Sequence, residues 1–163
     1  MKLRTLLLTL LLMLVASNSF SQDFSDLDKV PLKGKNDFKS AEDKVLECAK
    51  YIISSPLDKE DSQLKSAESF VLNWMTGTPD YSFTLDDSLQ PIMEKGPALL
   101  GVFMACYSQT AILDSHNLKS DDIFKKTMTS FIAYCKNPAN KVELTEGVNK
   151  LIKQEENGKY KVM

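Results

Sequence analysis

The segment from Ala98 to Tyr107 constrains the fold most strongly, because all of its residues except Gly101 are apolar or aromatic. A helix that is apolar on every side has to be buried, either in a membrane or at the centre of a protein. A membrane span needs roughly 20 apolar residues, and this segment is too short for one. We therefore expect a central buried helix that begins at Pro97, a favourable residue for the first helical position.

Amphipathic helices are predicted on both sides of this segment, because apolar residues recur there with helical spacing. Ser40 is a candidate cap for the first of them, and Gly77 is a candidate C-terminal cap for the second. The predicted helices cover residues 40–55, 61–76, 86–96, 97–113, 120–136 and 143–156. Their starts keep no common period, which disfavours a regular repeat solenoid. The sequence predicts an all-α fold, an irregular bundle of five to six helices, with one short extended segment allowed near residues 81–85.

The first 21 residues have the three-part layout of a cleavable secretory signal peptide. Lys2 and Arg4 precede an apolar run from Leu6 to Val15, and Ser19-Phe20-Ser21 then places small residues before a cut. The alternative is a retained membrane anchor. A spanning helix needs roughly 20 apolar residues, however, and the run is about half as long. We therefore predict export, to the periplasm or to the extracellular space.

Removal of the signal peptide would leave 142 residues, which is the size of one domain. The predicted organisation is a signal peptide (residues 1–21), a polar and flexible leader (22–39) and a single helical domain (40–163), with no membrane span after cleavage. The mature chain would carry 18 basic and 22 acidic residues and no arginine, because Arg4 is the only one. Arginine supplies the bidentate contacts to phosphates and base edges, so this composition argues against nucleic-acid binding.

Three cysteines in an exported chain raise the question of a disulfide. Cys48, Cys106 and Cys135 lie on apolar stripes, where cysteine behaves as a small hydrophobe. If the helices that carry Cys106 and Cys135 form a hairpin, the two residues lie roughly 10 Å apart along it. A disulfide allows a Cα separation of about 7 Å at most. We favour three buried free thiols, and the alternative is one disulfide with one thiol left over.

The residues that carry chemistry do not form a recognisable catalytic or metal-binding pattern. His116 is the only histidine and lies in a polar loop, so a cysteine or serine nucleophile has no obvious basic partner. The Cys and His residues are too few and too scattered for zinc, and the acidic loops lack the calcium-loop pattern. We expect a non-enzymatic protein with no catalytic residue, cofactor or metal. Paired carboxylates for glycoside cleavage stay open, because the fold decides their separation.

The segment 74–83 is the candidate partner-binding site. It combines the only tryptophan with a proline turn and two further aromatic residues, and such side chains on a turn are typical of contacts with a partner or ligand. The candidate residues are Trp74, Pro79, Asp80, Tyr81 and Phe83. In the alternative interpretation, which we favour, Trp74 belongs to the core and the turn packs over the bundle.

Three stretches of sequence resemble a group of small exported all-helical bacterial-type proteins that have no assigned activity. The stretches read WMTGTPDY at 74–81, LLGVFMAC at 99–106 and YCKNPAN at 134–140. The resemblance covers nearly all of the mature chain, implies export and a helical fold, and brings no catalytic residues. The pattern of residues 131–152 also resembles, less closely, the closing helical hairpin of small periplasmic immunity proteins.

These observations predict an exported, non-enzymatic helical domain that binds another envelope or secreted protein, or forms part of an envelope assembly. The alternative is a carrier that holds an apolar small ligand or lipid in a cavity between helices. Methionine adapts to varied shapes, and the chain contains seven of them, although two would leave with the signal peptide. An enzyme is the third hypothesis.

Overall fold

The computed structural model describes residues 23–58, 60–83, 89–93, 97–115 and 118–158. The α-helices are α1 (Lys35–Ser40), α2 (Glu42–Ser54), α3 (Ser62–Gly77), α4 (Gln90–Met93), α5 (Pro97–Asp114), α6 (Ser120–Lys136) and α7 (Glu146–Glu156). Two 3-10 turns, Leu27–Lys29 and Pro138–Asn140, accompany these helices, and the described ranges contain no strand. The predicted all-α fold with an irregular bundle is confirmed. The signal peptide, His116 and most of the predicted third helix lie outside the described ranges.

Helix α5 is the centre of the bundle, as its uniformly apolar sequence predicts. It packs against α2, α3, α4 and α6. The ring of Phe103 lies edge-on to Phe131 and to Phe124, with centroids 5.7 and 6.2 Å apart, an arrangement that aromatic rings prefer. Leu100 and Gly101 are only half-buried. One face of this helix therefore reaches the surface beside α3. In the described part of the chain, no helix is long and apolar enough to cross a membrane.

Local side-chain caps set the starts of α1 and α3. The carboxylate of Asp61 accepts from the backbone N–H groups of Gln63 and Leu64 at 2.8 and 3.1 Å, which fixes the start of α3. The expected cap at Ser40 is wrong. Ser40 is the last residue of α1. This helix starts upstream of Ser40, because the Asp37 carboxylate accepts from the Gly34 N–H at 3.0 Å and caps the first turn.

Residues 23–40 are folded against the bundle, which corrects the expectation of a flexible leader. Phe24, Leu27 and Phe38 are buried in the core, and the 3-10 turn that contains Leu27 packs on α3. Gly77 makes room for this segment, because a Cβ at Gly77 would lie 2.6 Å from Cε1 of Phe38. The sequence pattern missed the segment because three widely spaced apolar anchors give no helical period.

Candidate functional site

The aromatic segment predicted to bind a partner is built around a tryptophan that belongs to the core. Trp74 has 0% of its surface exposed, and its Nε1–H donates to the backbone oxygen of Phe38 at 2.9 Å. Its ring lies 5.3 Å from Tyr81 and 6.1 Å from Phe83. Phe83 in turn lies edge-on to Tyr107 of α5 at 5.0 Å. The structure therefore brings the three aromatic candidates together over the bundle.

The polar members of the same segment connect it to α1 and α2. The hydroxyl of Tyr81 donates to Oε1 of Glu42 at 2.8 Å, and Asp80 pairs with Lys35 at 2.8 Å. Burial, followed by the bond to Glu42, raises the pKa of Tyr81 above its ordinary value. Pro79 is exposed. These contacts fix the turn on the bundle and give all of its aromatic residues a structural role.

A depression of about 180 Å³ lies beside this segment, between it and the corner of α5 and α6. Its lining residues are Asp80, Tyr81, Ser82, Tyr107, Ala111, Ser115, Leu118, Ser120 and Ile123. The charged group in this lining, Asp80, already has Lys35 as its partner. The use of this segment in partner binding stays a prediction.

A second site, which the sequence pattern did not predict, is centred on Glu68 of α3. Its Oε1 atom is buried and has no hydrogen-bond partner, although buried polar atoms are almost always paired. Burial alone raises the pKa of this carboxyl from 4.5 to about 7. The carboxyl lies against the backbone of Gly101 on α5, where a Cβ would be 2.5 Å from Cδ and 2.6 Å from Oε1 of Glu68.

The sequence did contain a signal for each half of this site. Glu68 follows Leu64 by four residues and precedes Val71 by three, so a carboxylate lies on the apolar face of α3. Gly101 is the one residue of the segment 98–107 without an apolar side chain. Neither signal predicts that the two residues face each other, because their contact depends on how α3 crosses α5.

The Glu68 carboxyl lies in a surface groove of about 150 Å³ between α3 and α5. We call it the Glu68 groove, and it is lined by Glu68, Ser69, Leu72, Leu100, Gly101 and Met104. Leu72 forms part of its rim and is 44% exposed. A neighbouring depression of about 300 Å³, under the folded segment 24–28, shares Ser69 with it. The two depressions therefore adjoin on the exposed face of α3.

Comparison with known proteins gives no assignment for this site. The chain matches no protein-family model, no curated protein and no solved structure. The resemblance to small exported helical proteins stays a prediction, and the geometry of the chain itself is the basis for a proposed function.

The bundle interior next to Glu68 contains other titratable groups, all of which are neutral at physiological pH. Burial raises the pKa of Tyr134 to about 12, with smaller contributions from Cys135, Glu68 and Cys106. The Tyr134 hydroxyl donates to the backbone oxygen of Ser55 at 2.9 Å, so its proton is directed away from Glu68. Between about pH 4 and pH 8, Glu68 is the member of this cluster whose charge changes.

The three cysteines are free and buried, as the analysis of their helix positions favoured. Burial raises the pKa of Cys48, Cys106 and Cys135 to about 12 in each case. A thiol at this pKa, enclosed by side chains, is neither a nucleophile nor a metal ligand at neutral pH. Within the ranges that the structure describes, no three Cys, His, Asp or Glu residues are placed to hold a metal ion.

We therefore expect alkylation of the native protein by iodoacetamide at about pH 8 to be at least about 100-fold slower than alkylation of a small thiol. Unfolding in urea without a reductant should expose three reactive thiols. The measurement is intact-protein mass spectrometry, before and after unfolding. A single reactive thiol in the unfolded and unreduced protein would show that two of the cysteines form a disulfide.

Proposed function

We propose that this protein is an exported, non-enzymatic domain that binds another envelope or secreted protein through the Glu68 groove. The observation that carries the proposal is the carboxyl of Glu68, a residue that lines an open groove and whose buried Oε1 atom has no hydrogen-bond partner. A buried carboxyl without a donor opposes folding, so a site that retains one is a candidate for function. A partner that supplies the donor on binding would offset this unfavourable burial.

The size and surroundings of the groove favour a protein partner. Pockets that enclose small molecules usually measure about 300–1,000 Å³. The Glu68 groove, at about 150 Å³, has the scale of one inserted side chain. The exposed Leu72 at its rim and the adjoining depression of about 300 Å³ extend the contact area on α3. A partner that lies across α3 would contact both depressions together.

Two further observations support this proposal over its alternatives. The signal-peptide pattern of residues 1–21 favours export, to the periplasm or to the extracellular space. A carrier of an apolar ligand or lipid has weaker support, because Met75, Met104 and Met128 pack in the core. In this proposal the aromatic segment 74–83 supports the bundle and the α3–α5 surface forms the contact.

Site-specific photo-crosslinking tests the proposal. A photoreactive amino acid is placed at Leu72 in cells that produce the protein, and at Leu113 or Leu144 as controls. The three leucines are exposed to 44%, 58% and 46%, and the two controls lie outside the groove lining. We expect a discrete protein adduct from position 72 that is absent from both controls. The Gly101→Ala variant should lose the adduct, since its Cβ would occupy the space of the Glu68 carboxyl.

Equal adducts from all three positions, or no adduct from position 72, would contradict binding at the groove. Gly34→Ala is the matched control for the glycine variant. A Cβ at Gly34 would meet only Oδ2 of Asp37, at 3.9 Å. This variant should retain the adduct.

A further inference from the structure

We propose that the Glu68 groove binds a lysine side chain of the partner protein, whose ammonium group donates to the carboxylate of Glu68. This inference rests on the proposed function and specifies the chemistry of the partner at the point of contact. It follows from three properties of the groove: a carboxylate in its lining that has a buried and unpaired oxygen, its apolar walls and its single point of negative charge.

The lining of the groove includes a carboxylate that the protein itself leaves without a donor. Oε1 of Glu68 has no hydrogen-bond partner, and the residues found to line the groove include no basic side chain. The nearby hydroxyl of Tyr134 is directed to the backbone oxygen of Ser55. An ionised carboxylate in such surroundings is stabilised by a cation that arrives with its own hydrogen-bond donors.

The walls of the groove suit the stem of a lysine side chain. Leu72, Leu100 and Met104 present apolar atoms, and Gly101 presents backbone without a side chain. Lysine packs its methylene groups along apolar surface while the ammonium group makes the polar contact. Arginine carries a planar fork that matches two carboxylate oxygens, whereas Oε1 of Glu68 is buried, so a fork would not reach both oxygens. A point charge on a flexible stem therefore fits better.

The interaction should strengthen as pH rises through about 7, because the ionised form of Glu68 binds the cation. Burial alone shifts the pKa of Glu68, and the titratable group coupled to it, Tyr134 on α6, stays neutral across this range. On α3 itself, Lys65 lines the adjoining depression. The pH dependence of binding should therefore follow the titration of Glu68.

The first test uses n-butylammonium, which reproduces the lysine side chain, and follows the backbone amide signals of Leu72 and Gly101 by NMR. We expect saturable shifts with the wild-type mature protein at about pH 8. Glu68→Gln should weaken the apparent affinity by about tenfold or more, the effect of losing a charged hydrogen-bond partner. Glu47→Gln is the matched control, since Glu47 is exposed and pairs with Lys44 on α2. It should bind like the wild type.

n-Butanol, which has the same apolar stem without the charge, should give no saturable shift at Gly101. Equal binding of n-butanol and n-butylammonium would overturn the inference, and so would equal affinity of the wild type and Glu68→Gln. Because Gln has nearly the shape of Glu and leaves the backbone unchanged, the variant is expected to fold.

The second test separates this inference from the proposed function. Before crosslinking through position 72, the envelope extract is treated with an acetylating reagent that neutralises lysines, or with phenylglyoxal, which modifies arginines. Loss of the adduct after acetylation but not after phenylglyoxal is the expected result. An adduct that survives acetylation would overturn the lysine contact and leave the proposed function standing. The absence of any adduct from the untreated extract would overturn the proposed function itself.

Discussion

Trp74→Ala is expected to lower the free energy of unfolding by about 3–5 kcal/mol, which is the range for truncation of a large buried aromatic side chain. The indole is fully buried and lies within 5.3 and 6.1 Å of the rings of Tyr81 and Phe83. Its removal would leave a cavity and deprive the Phe38 backbone oxygen of its donor. The folded segment 23–40 would lose one of its attachments to α3.

The measurement is urea-induced unfolding followed by far-UV circular dichroism, since Trp74 is the only tryptophan and its variant has no indole fluorescence. Tyr81→Phe is the matched control in the same cluster. It removes the hydroxyl that donates to Glu42, keeps the ring, and should lower the free energy of unfolding by about 0.5–1.5 kcal/mol. If Trp74→Ala lost less than about 1 kcal/mol and also lost the crosslinked partner, the binding interpretation of Trp74 would replace the structural one.

The sequence predicted the parts of this fold that depend on local pattern. The apolar segment 98–107 could only be a central helix, and it is one. The amphipathic stripes of α2, α3 and α6 placed their buried faces correctly, including the positions of Cys48 and Cys135. In each of these three helices, apolar residues recur at the helical period, and this recurrence is sufficient to predict both a helix and its inner face.

Features that depend on contacts distant in sequence were missed. The segment 23–40 carries too few apolar residues for a period, yet Phe24 and Phe38 reach the core because α3 and Gly77 provide space for them. The Glu68 groove was missed for the same reason. A carboxylate on one helix and a glycine on another form a site only because the two helices cross at these residues. The sequence pattern does not predict where helices cross. The aromatic segment 74–83 could be identified as a candidate site because its residues are contiguous in the sequence.

Glu68→Gln is expected to stabilise the protein by about 1–2 kcal/mol above pH 7 and to have little effect below pH 4.5, the ordinary pKa of this carboxyl. In the folded wild type the pKa is raised to about 7, so between these two values the folded protein keeps a proton that the unfolded chain has lost. The folded state binds more protons in this window, and the free energy of unfolding therefore falls as pH rises.

The size of the effect follows from the same pKa values. A shift from 4.5 to about 7 corresponds to at most about 3 kcal/mol. Glu68 is half-buried, and solvent screening reduces the expected difference to about 1–2 kcal/mol. Urea unfolding at about pH 4, 6 and 8 measures it for the wild type, for Glu68→Gln and for the exposed control Glu47→Gln. Parallel pH profiles for the wild type and Glu68→Gln would show that the Glu68 carboxyl is solvated in the folded protein.

This stability loss and the proposed lysine contact are two consequences of one half-buried carboxyl. A cation bound at the Glu68 carboxylate stabilises the folded state and not the unfolded chain, so it should raise the unfolding midpoint. We expect n-butylammonium to recover part of the lost stability of the wild type at about pH 8 and none at about pH 4, where the carboxyl is protonated. Glu68→Gln should show no such recovery at either pH. The burial of this carboxyl therefore costs stability at the site where a partner can restore it.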